Sequence, residues 1–399
     1  MVLLLVATAA TFAVAVGLQL GSCVDGDCTR GLGDVAKVYV HRGVRPDAPP
    51  YIDRMVEYPV VTGAVIYAAS FAGDSPTTFL LAIAALNGVL ALAVTGMVGR
   101  VAPQRAWRWA LAPPLALFGA HNWDLLAIAP LVAGLLAFER RRDGTAGVLL
   151  AIGASAKLFP GVVIPPLIAL RLARGDRDGA MRLFAGAAIT TALLNVPVML
   201  ADFHGWMSPF QFHGDRRPTW ASLMHWVFRL PVLRDVVGGD VVQAGLVVST
   251  VGLAVVVAFL TWYAARRRPS AIGLAAAATA LFLLVAKVHS PGYDLWLIPF
   301  FVLLPLARWH YAAFCATDLG VYVLTYGMLD DQISRRFVPL LGVLAVARAV
   351  LIALVAWRGL HTYDERDRVI DLSGSDRGAT PAAAPVPIAA GARSTTGPV

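Results

Sequence analysis

Ionisable residues are scarce in this chain, and those set among apolar neighbours invite a chemical explanation. Lysine occurs only at Lys37, Lys157 and Lys287, against 30 arginines. Lys157 stands in Ala156-Lys157-Leu158-Phe159-Pro160, where the proline interrupts a helix and frees backbone groups. Lys287 and His289 stand in Lys287-Val288-His289-Ser290-Pro291, a second broken turn. Cations gathered at similar depth beside proline-broken backbone suit a phosphate. The plain alternative is a long side chain carrying its charge to the membrane interface.

Two polar stretches add the other groups that chemistry would need. The first holds Asp25, Asp27, Asp34, Asp47, Asp53 and Glu57, carboxylates enough for acid–base work. Asp25-Gly26-Asp27 has the form of an Asp-x-Asp metal signature, but such triplets are common in polar loops, so neither a metal nor another cofactor is expected. The second runs Phe212-His213-Gly214-Asp215-Arg216-Arg217-Pro218-Thr219-Trp220 and sets Arg216 and Arg217 beside aromatic faces. That mixture suits a sugar or a lipid-phosphate headgroup, although interfacial anchoring explains Trp220 equally well. Asp318 and Arg348 fall at matching depth in two late apolar runs and are expected to form a structural ion pair. Phosphate-cradling glycine loops, zinc motifs and nucleophile elbows are missing from the sequence, which leaves soluble-enzyme chemistries without support.

The elements that must position these residues are membrane helices. The 399 residues are 58% hydrophobic and 15% charged, with mean hydropathy +0.68, whereas a soluble domain carries about 25% charged residues. Twelve apolar runs, from 2–21 to 337–357, predict an all-α polytopic bundle of about twelve spans with both termini cytoplasmic. The formal net charge of +8 gathers in short clusters such as Arg140 to Arg142 and Arg266 to Arg268, a cytoplasmic-loop pattern and not a nucleic-acid surface. That orientation puts the long polar stretches 22–58 and 204–240 outside. Several runs between 107 and 170 are short, so hairpin tips at His121 to Asp124 and Lys157 to Pro160 should stop below the outer surface and leave a sunken polar cavity. The run 59–72 begins at Pro59 and reads as a re-entrant or interfacial helix. Val2 to Leu20 lacks a basic leader and reads as a retained first helix. Residues 361–399, rich in Ala, Pro, Gly and Ser, read as a disordered cytoplasmic tail after a transmembrane domain at 1–360. Cys23 and Cys28 are close enough for a small disulfide in an oxidising compartment.

An ordered set of motifs resembles glycosyltransferase family 87 of the GT-C superfamily over roughly residues 1–360. The motifs are Gly33-Asp34-Val35, His41-Arg42-Gly43, Pro50-Tyr51, Val56-Glu57-Tyr58-Pro59, Asn122-Trp123-Asp124, Lys157-Leu158-Phe159-Pro160 and Pro291-x-Tyr293-x-Leu295-Trp296. Gly292 stands where a polar residue is more usual. The resemblance implies a GT-C bundle in a bacterial plasma membrane, with its active site facing out. It would move a hexose, mannose by family habit, from a polyprenyl-phosphate donor to a glycolipid or lipoglycan acceptor with inversion. By motif position Asp34 would be the base; Lys157, Lys287, His289, Arg216 and Arg217 would meet the donor phosphate; and Glu57, Tyr58, Asp124, Trp220 and Tyr293 would line the substrate site. The rival is a secondary transporter of a small solute, which also has about twelve spans and intramembrane charges but gathers its polar residues at midplane and in repeated halves.

Overall fold

The computed structural model describes residues 1–21 and 33–363. The Cys23–Cys28 pairing, the Asp25-Gly26-Asp27 triplet and the tail from residue 364 lie outside the described residues. What is described is helical, with no strand. The all-α polytopic class expected from the apolar runs is the one found.

Six helices are long and apolar enough to cross a membrane: Val2–Gly21, Pro76–Val101, Arg177–Ala201, Val241–Arg267, Arg308–Leu329 and Arg335–Leu360. At 1.5 Å per residue, 20 to 27 residues reach about 30 to 40 Å, which spans a hydrocarbon core. Six shorter apolar helices accompany them, among them Leu125–Glu139, Asp143–Ala156 and Ala271–Val285. Burial differs most between the outermost and the innermost of these helices. Only 11% of the apolar window of Arg177–Ala201 and 17% of that of Val241–Arg267 is buried, so these helices offer their side chains to lipid. Leu125–Glu139 and Ala271–Val285 are buried along most of their length and form the centre.

The short central helices are short because of their sequence. The apolar residues 107–120 are split into Trp107–Ala110 and Pro113–Phe118. Pro113-Pro114 can open a helix but cannot continue one. The apolar residues 294–307 are likewise divided, between a 3₁₀ helix Pro291–Leu297 and an α-helix Ile298–Leu303. The two polar stretches carry helices of their own, Asp34–His41 in the first and Phe203–Asp215, Leu223–Val227 and Pro231–Val237 in the second. Residues 59–72 form Val60–Ala69 and a 3₁₀ turn Ser70–Ala72; the α-helical part is only about 15 Å long. Its Thr62 hydroxyl donates to the Ala156 carbonyl at the end of Asp143–Ala156, at 2.9 Å.

Polar side chains fix the tips. Asn87, fully buried on Pro76–Val101, donates to the carbonyls of Gly119 (3.1 Å) and Asn122 (2.9 Å), so the 119–122 turn is tied to a long helix. At the other end, Arg108 donates to the carbonyls of Phe301 and Leu306, and Arg171 binds Asp143 at 2.7 Å. Arg108 thereby satisfies carbonyls in the last turn of Ile298–Leu303 and just beyond it.

Small residues set the closest helix contacts, as expected where lipid provides no hydrophobic drive between helices. A Cβ at Gly147 would run into the Leu183 carbonyl oxygen of Arg177–Ala201, and one at Gly273 into that of Gly359. Gly147→Ala should therefore force two backbones apart, at about 1–3 kcal/mol. Thermal unfolding of detergent-purified protein should show a lower Tm than Gly96→Ala, a position with open space around it. Equal melting of the two variants would mean that this contact is looser than the backbone spacing implies.

Candidate active site

A cavity of about 850 Å3 opens where the helix tips meet. It is walled by the Asp34–His41 helix, the 57–58 turn, Asn122, the 212–221 segment, the 289–293 turn and the end of Arg308–Leu329. Asp34, Glu57, Tyr58, Arg216, Arg217, Trp220, His289 and Tyr293 all line it.

Asp34 is the first residue of its helix, and Gly33 stands at the cap position without a side-chain bond. The Asp34 carboxylate instead accepts from the Asn122 amide at 2.8 Å, and its backbone N–H donates to the His121 carbonyl at 2.9 Å. Its side chain is 41% exposed, toward the cavity. Glu57, the other lining carboxylate, is occupied by the Arg42 guanidinium. Of the two, Asp34 is the acid group left free to take a proton.

The cations are distributed unequally. Lys37, one helical turn beyond Asp34, lines the cavity with Arg216, Arg217 and Arg229, and none of the four has a carboxylate partner among the described residues. Arg42 and Arg216 both lie over the Phe212 ring, at 5.4 and 5.7 Å from its centroid. Burial, followed by the Arg216 guanidinium and Lys157, pushes the His213 imidazole down to about 4, so it faces the cavity as a neutral hydrogen-bonding group. Burial, reinforced by Asp34 and Glu57, raises the Tyr58 phenol well above its usual range and keeps it a neutral donor.

Two lysines expected at the phosphate do not line the cavity. Lys157 is 7% exposed and donates to Asp124, itself 1% exposed, at 2.5 Å; Trp296 Nε1 donates to the same carboxylate oxygen at 2.6 Å. Asp124 therefore serves beneath the cavity and not on its wall. The Lys157 ammonium also lies 4.9 Å from the Tyr293 ring centroid and 5.6 Å from that of Trp296. In a 3₁₀ helix residues three apart eclipse, and Tyr293 and Trp296 accordingly stack at 4.3 Å, with Phe159 at 4.0 Å beyond. A cation under this stack supports the cavity floor from behind.

Lys287 donates to the Gly214 carbonyl at 2.5 Å. Thr219 adds a clip: its N–H donates to the Lys287 carbonyl and its hydroxyl to that of His289, while the His289 N–H donates back to the hydroxyl. The 214–221 wall is thereby pinned to the 287–289 turn. Arg348 completes the framework by donating to Asp294 and to the Ala221 carbonyl, with Asp318 at 3.5 Å. The expected Asp318–Arg348 pair exists, but Asp294 is the nearer carboxylate, and it also bonds His289 at 3.1 Å.

Lys37, Asn122 and Tyr326 complete the cavity wall and carried no role in the sequence reading. For Lys37 the signal was there: it is a rare lysine at helical spacing, i+3, from the candidate base.

No curated protein matches the chain. The model of glycosyltransferase family 87 matches residues 57–291, a span that begins after Asp34 and takes in Glu57, the Asn122 turn, Lys157, Arg216 and His289. That span is more than half of the 399 residues, and the chain belongs to glycosyltransferase family 87.

Proposed function

We propose that this membrane glycosyltransferase moves a hexose, with mannose the first to test, from a polyprenyl-phosphate donor to a glycolipid or lipoglycan acceptor, inverting the anomeric centre. One observation carries this reading: Asp34, a carboxylate without a cationic side chain bonded to it, shares a single cavity with cations that have no carboxylate partner among the described residues. A lipid phosphate is already a good leaving group, so transfer needs a base for the acceptor hydroxyl and positive charge on the departing phosphate. Asp34 takes the hydroxyl proton as the acceptor oxygen bonds to the anomeric carbon. The bond from that carbon to the phosphate oxygen breaks, and the phosphate leaves against Arg216, Arg217 and Lys37. His289, Tyr293, Tyr58 and Trp220 shape the sugar site, and Lys157 and Lys287 hold its floor and wall.

The test is incubation of purified protein with labelled polyprenyl-phosphate mannose and octyl mannoside as a minimal acceptor. Labelled mannosyl-octyl-mannoside supports the reading. Solute uptake into proteoliposomes with no glycoside formed would support a transporter instead.

The reading also places the cavity outside a bacterial plasma membrane, since the arginine-rich turns lie at the opposite helix ends. Asp215 and Arg141 are both exposed and so both reachable by a thiol reagent once changed to cysteine. In intact cells, and in a background lacking native cysteines, an impermeant maleimide should modify position 215 and spare 141. Labelling of 141 would reverse the orientation.

A further inference from the structure

Asn122 lies against Asp34 and is itself held from two directions. It is 4% exposed, in the turn that Asn87 ties to Pro76–Val101 through the Gly119 and Asn122 carbonyls. Its side-chain oxygen accepts from the Trp123 N–H at 2.6 Å, and its amide nitrogen donates to Asp34 Oδ2 at 2.8 Å. Trp123 is fully buried and packs against the Tyr58 ring, with centroids 4.8 Å apart.

These two bonds admit one orientation of the amide. A backbone N–H only donates and a carboxylate only accepts, so turning the amide over would set donor against donor and oxygen against oxygen. Asp34, by contrast, opens a helix of eight residues, too short to be stable by itself. Two polar bonds tie its first residue to the turn: the Asp34 N–H on the His121 carbonyl, at 2.9 Å, and the carboxylate on Asn122. The other carboxylate oxygen, Oδ1, has no donor among the described residues.

We infer that Asn122 is a positioning residue: it occupies Asp34 Oδ2 and thereby presents Oδ1 as the atom that takes the acceptor's proton. The inference rests on Asp34 being the base. During transfer the acceptor oxygen bonds to the anomeric carbon, its proton passes to Oδ1 and the phosphate leaves with the electrons of the broken bond. Oδ2 accepts from Asn122 throughout, because in the acid form it is the carbonyl oxygen. Without the amide the carboxylate turns about its last side-chain bond, whose torsion is broad, and Oδ1 loses its fixed angle to the hydroxyl. Misplacing a reacting group by about 1 Å costs about 10²-fold in rate.

The test is steady-state kinetics of purified protein with labelled polyprenyl-phosphate mannose and octyl mannoside. Asn122→Leu should lower kcat about 10- to 100-fold and leave the donor KM within about threefold, since Asn122 acts on Asp34 and not on the phosphate. In an Asp34→Asn background the same substitution should change the remaining rate by less than about twofold, because the group it aims is gone. Asn122→Asp keeps an acceptor for the Trp123 N–H, and hence the turn, but sets a carboxylate against Asp34 that repels it or shares its proton. Its kcat should fall about 10-fold or more, and it carries the comparison if Asn122→Leu does not purify as a monodisperse protein. A loss that recurs undiminished in the Asp34→Asn background, or that is matched by a rise in donor KM, is what a merely structural role produces and overturns the inference. Where Asp34→Asn leaves too little product to compare, the split between kcat and KM decides. A large loss in Asp34→Asn with none in either Asn122 variant overturns the inference alone. Near-normal turnover in Asp34→Asn overturns the base assignment on which the proposed function stands.

Discussion

Asp34→Asn should leave the protein inserted and folded while transfer falls by about 10²- to 10⁴-fold, the usual loss when a positioned base is removed. Asparagine keeps an oxygen that can accept from the Asn122 amide, so the 2.8 Å contact and the local backbone survive. What it lacks is a site for the acceptor's proton. A capping role would instead make the variant lose about 1 kcal/mol of stability with little specific loss of rate. That explanation is already weakened, because Gly33 occupies the cap position and the Asp34 carboxylate bonds across to another element. The measurement is product per unit of monodisperse protein. Asp47→Asn and Asp53→Asn are the controls, since both residues are exposed and neither lines the cavity. Glu57→Gln should fall between them, because its carboxylate is spent on Arg42. Near-normal turnover in Asp34→Asn would move the base elsewhere.

The broad architecture is legible in the sequence because apolar run length is a local property. The two tips, His121 to Asp124 and Lys157 to Pro160, are legible too, because short runs and prolines mark where helices stop. Internal breaks are not legible from run length alone, since a proline pair such as Pro113-Pro114 leaves the run apolar. Partner choice was harder still. Lys157 and Asp124 are 33 residues apart and Arg348 and Asp294 are 54 apart, and nothing in either motif names the other. A rare lysine beside a proline looks alike whether it faces a phosphate or a buried carboxylate. Arg348 illustrates the limit: matching depth paired it with Asp318, and only packing shows that the 3₁₀ helix carries Asp294 into closer reach.

The Lys157–Asp124 pair yields the largest expected effect on stability, and it separates the two readings of Lys157. Breaking a buried pair from one side costs about 3–5 kcal/mol, because the remaining charge has no solvent. The two sides are unequal here. Lys157→Met strands a carboxylate with one bond, from Trp296, and a second oxygen that has no hydrogen-bond partner among the described residues. Asp124→Asn removes the counter-charge of the ammonium but leaves it an amide oxygen to donate to, and the ammonium still lies over the Tyr293 and Trp296 rings, where cation–π attraction offsets about 1–2 kcal/mol of the cost. Lys157→Met should therefore lower Tm more than Asp124→Asn. Replacing both charges, in Lys157→Met with Asp124→Asn, should recover most of the loss, since neither charge is left uncompensated and the Asn amide oxygen can still accept from Trp296 Nε1. Transfer by the recovered double variant then decides the role of Lys157. A lysine that only supports the Tyr293–Trp296 stack leaves kcat within about tenfold of wild type, while Arg216→Ala, which alters the cavity wall itself, raises the donor KM. A double variant that melts like wild type yet transfers nothing would show that Lys157 reaches the donor phosphate during turnover, by a movement that breaks its bond to Asp124.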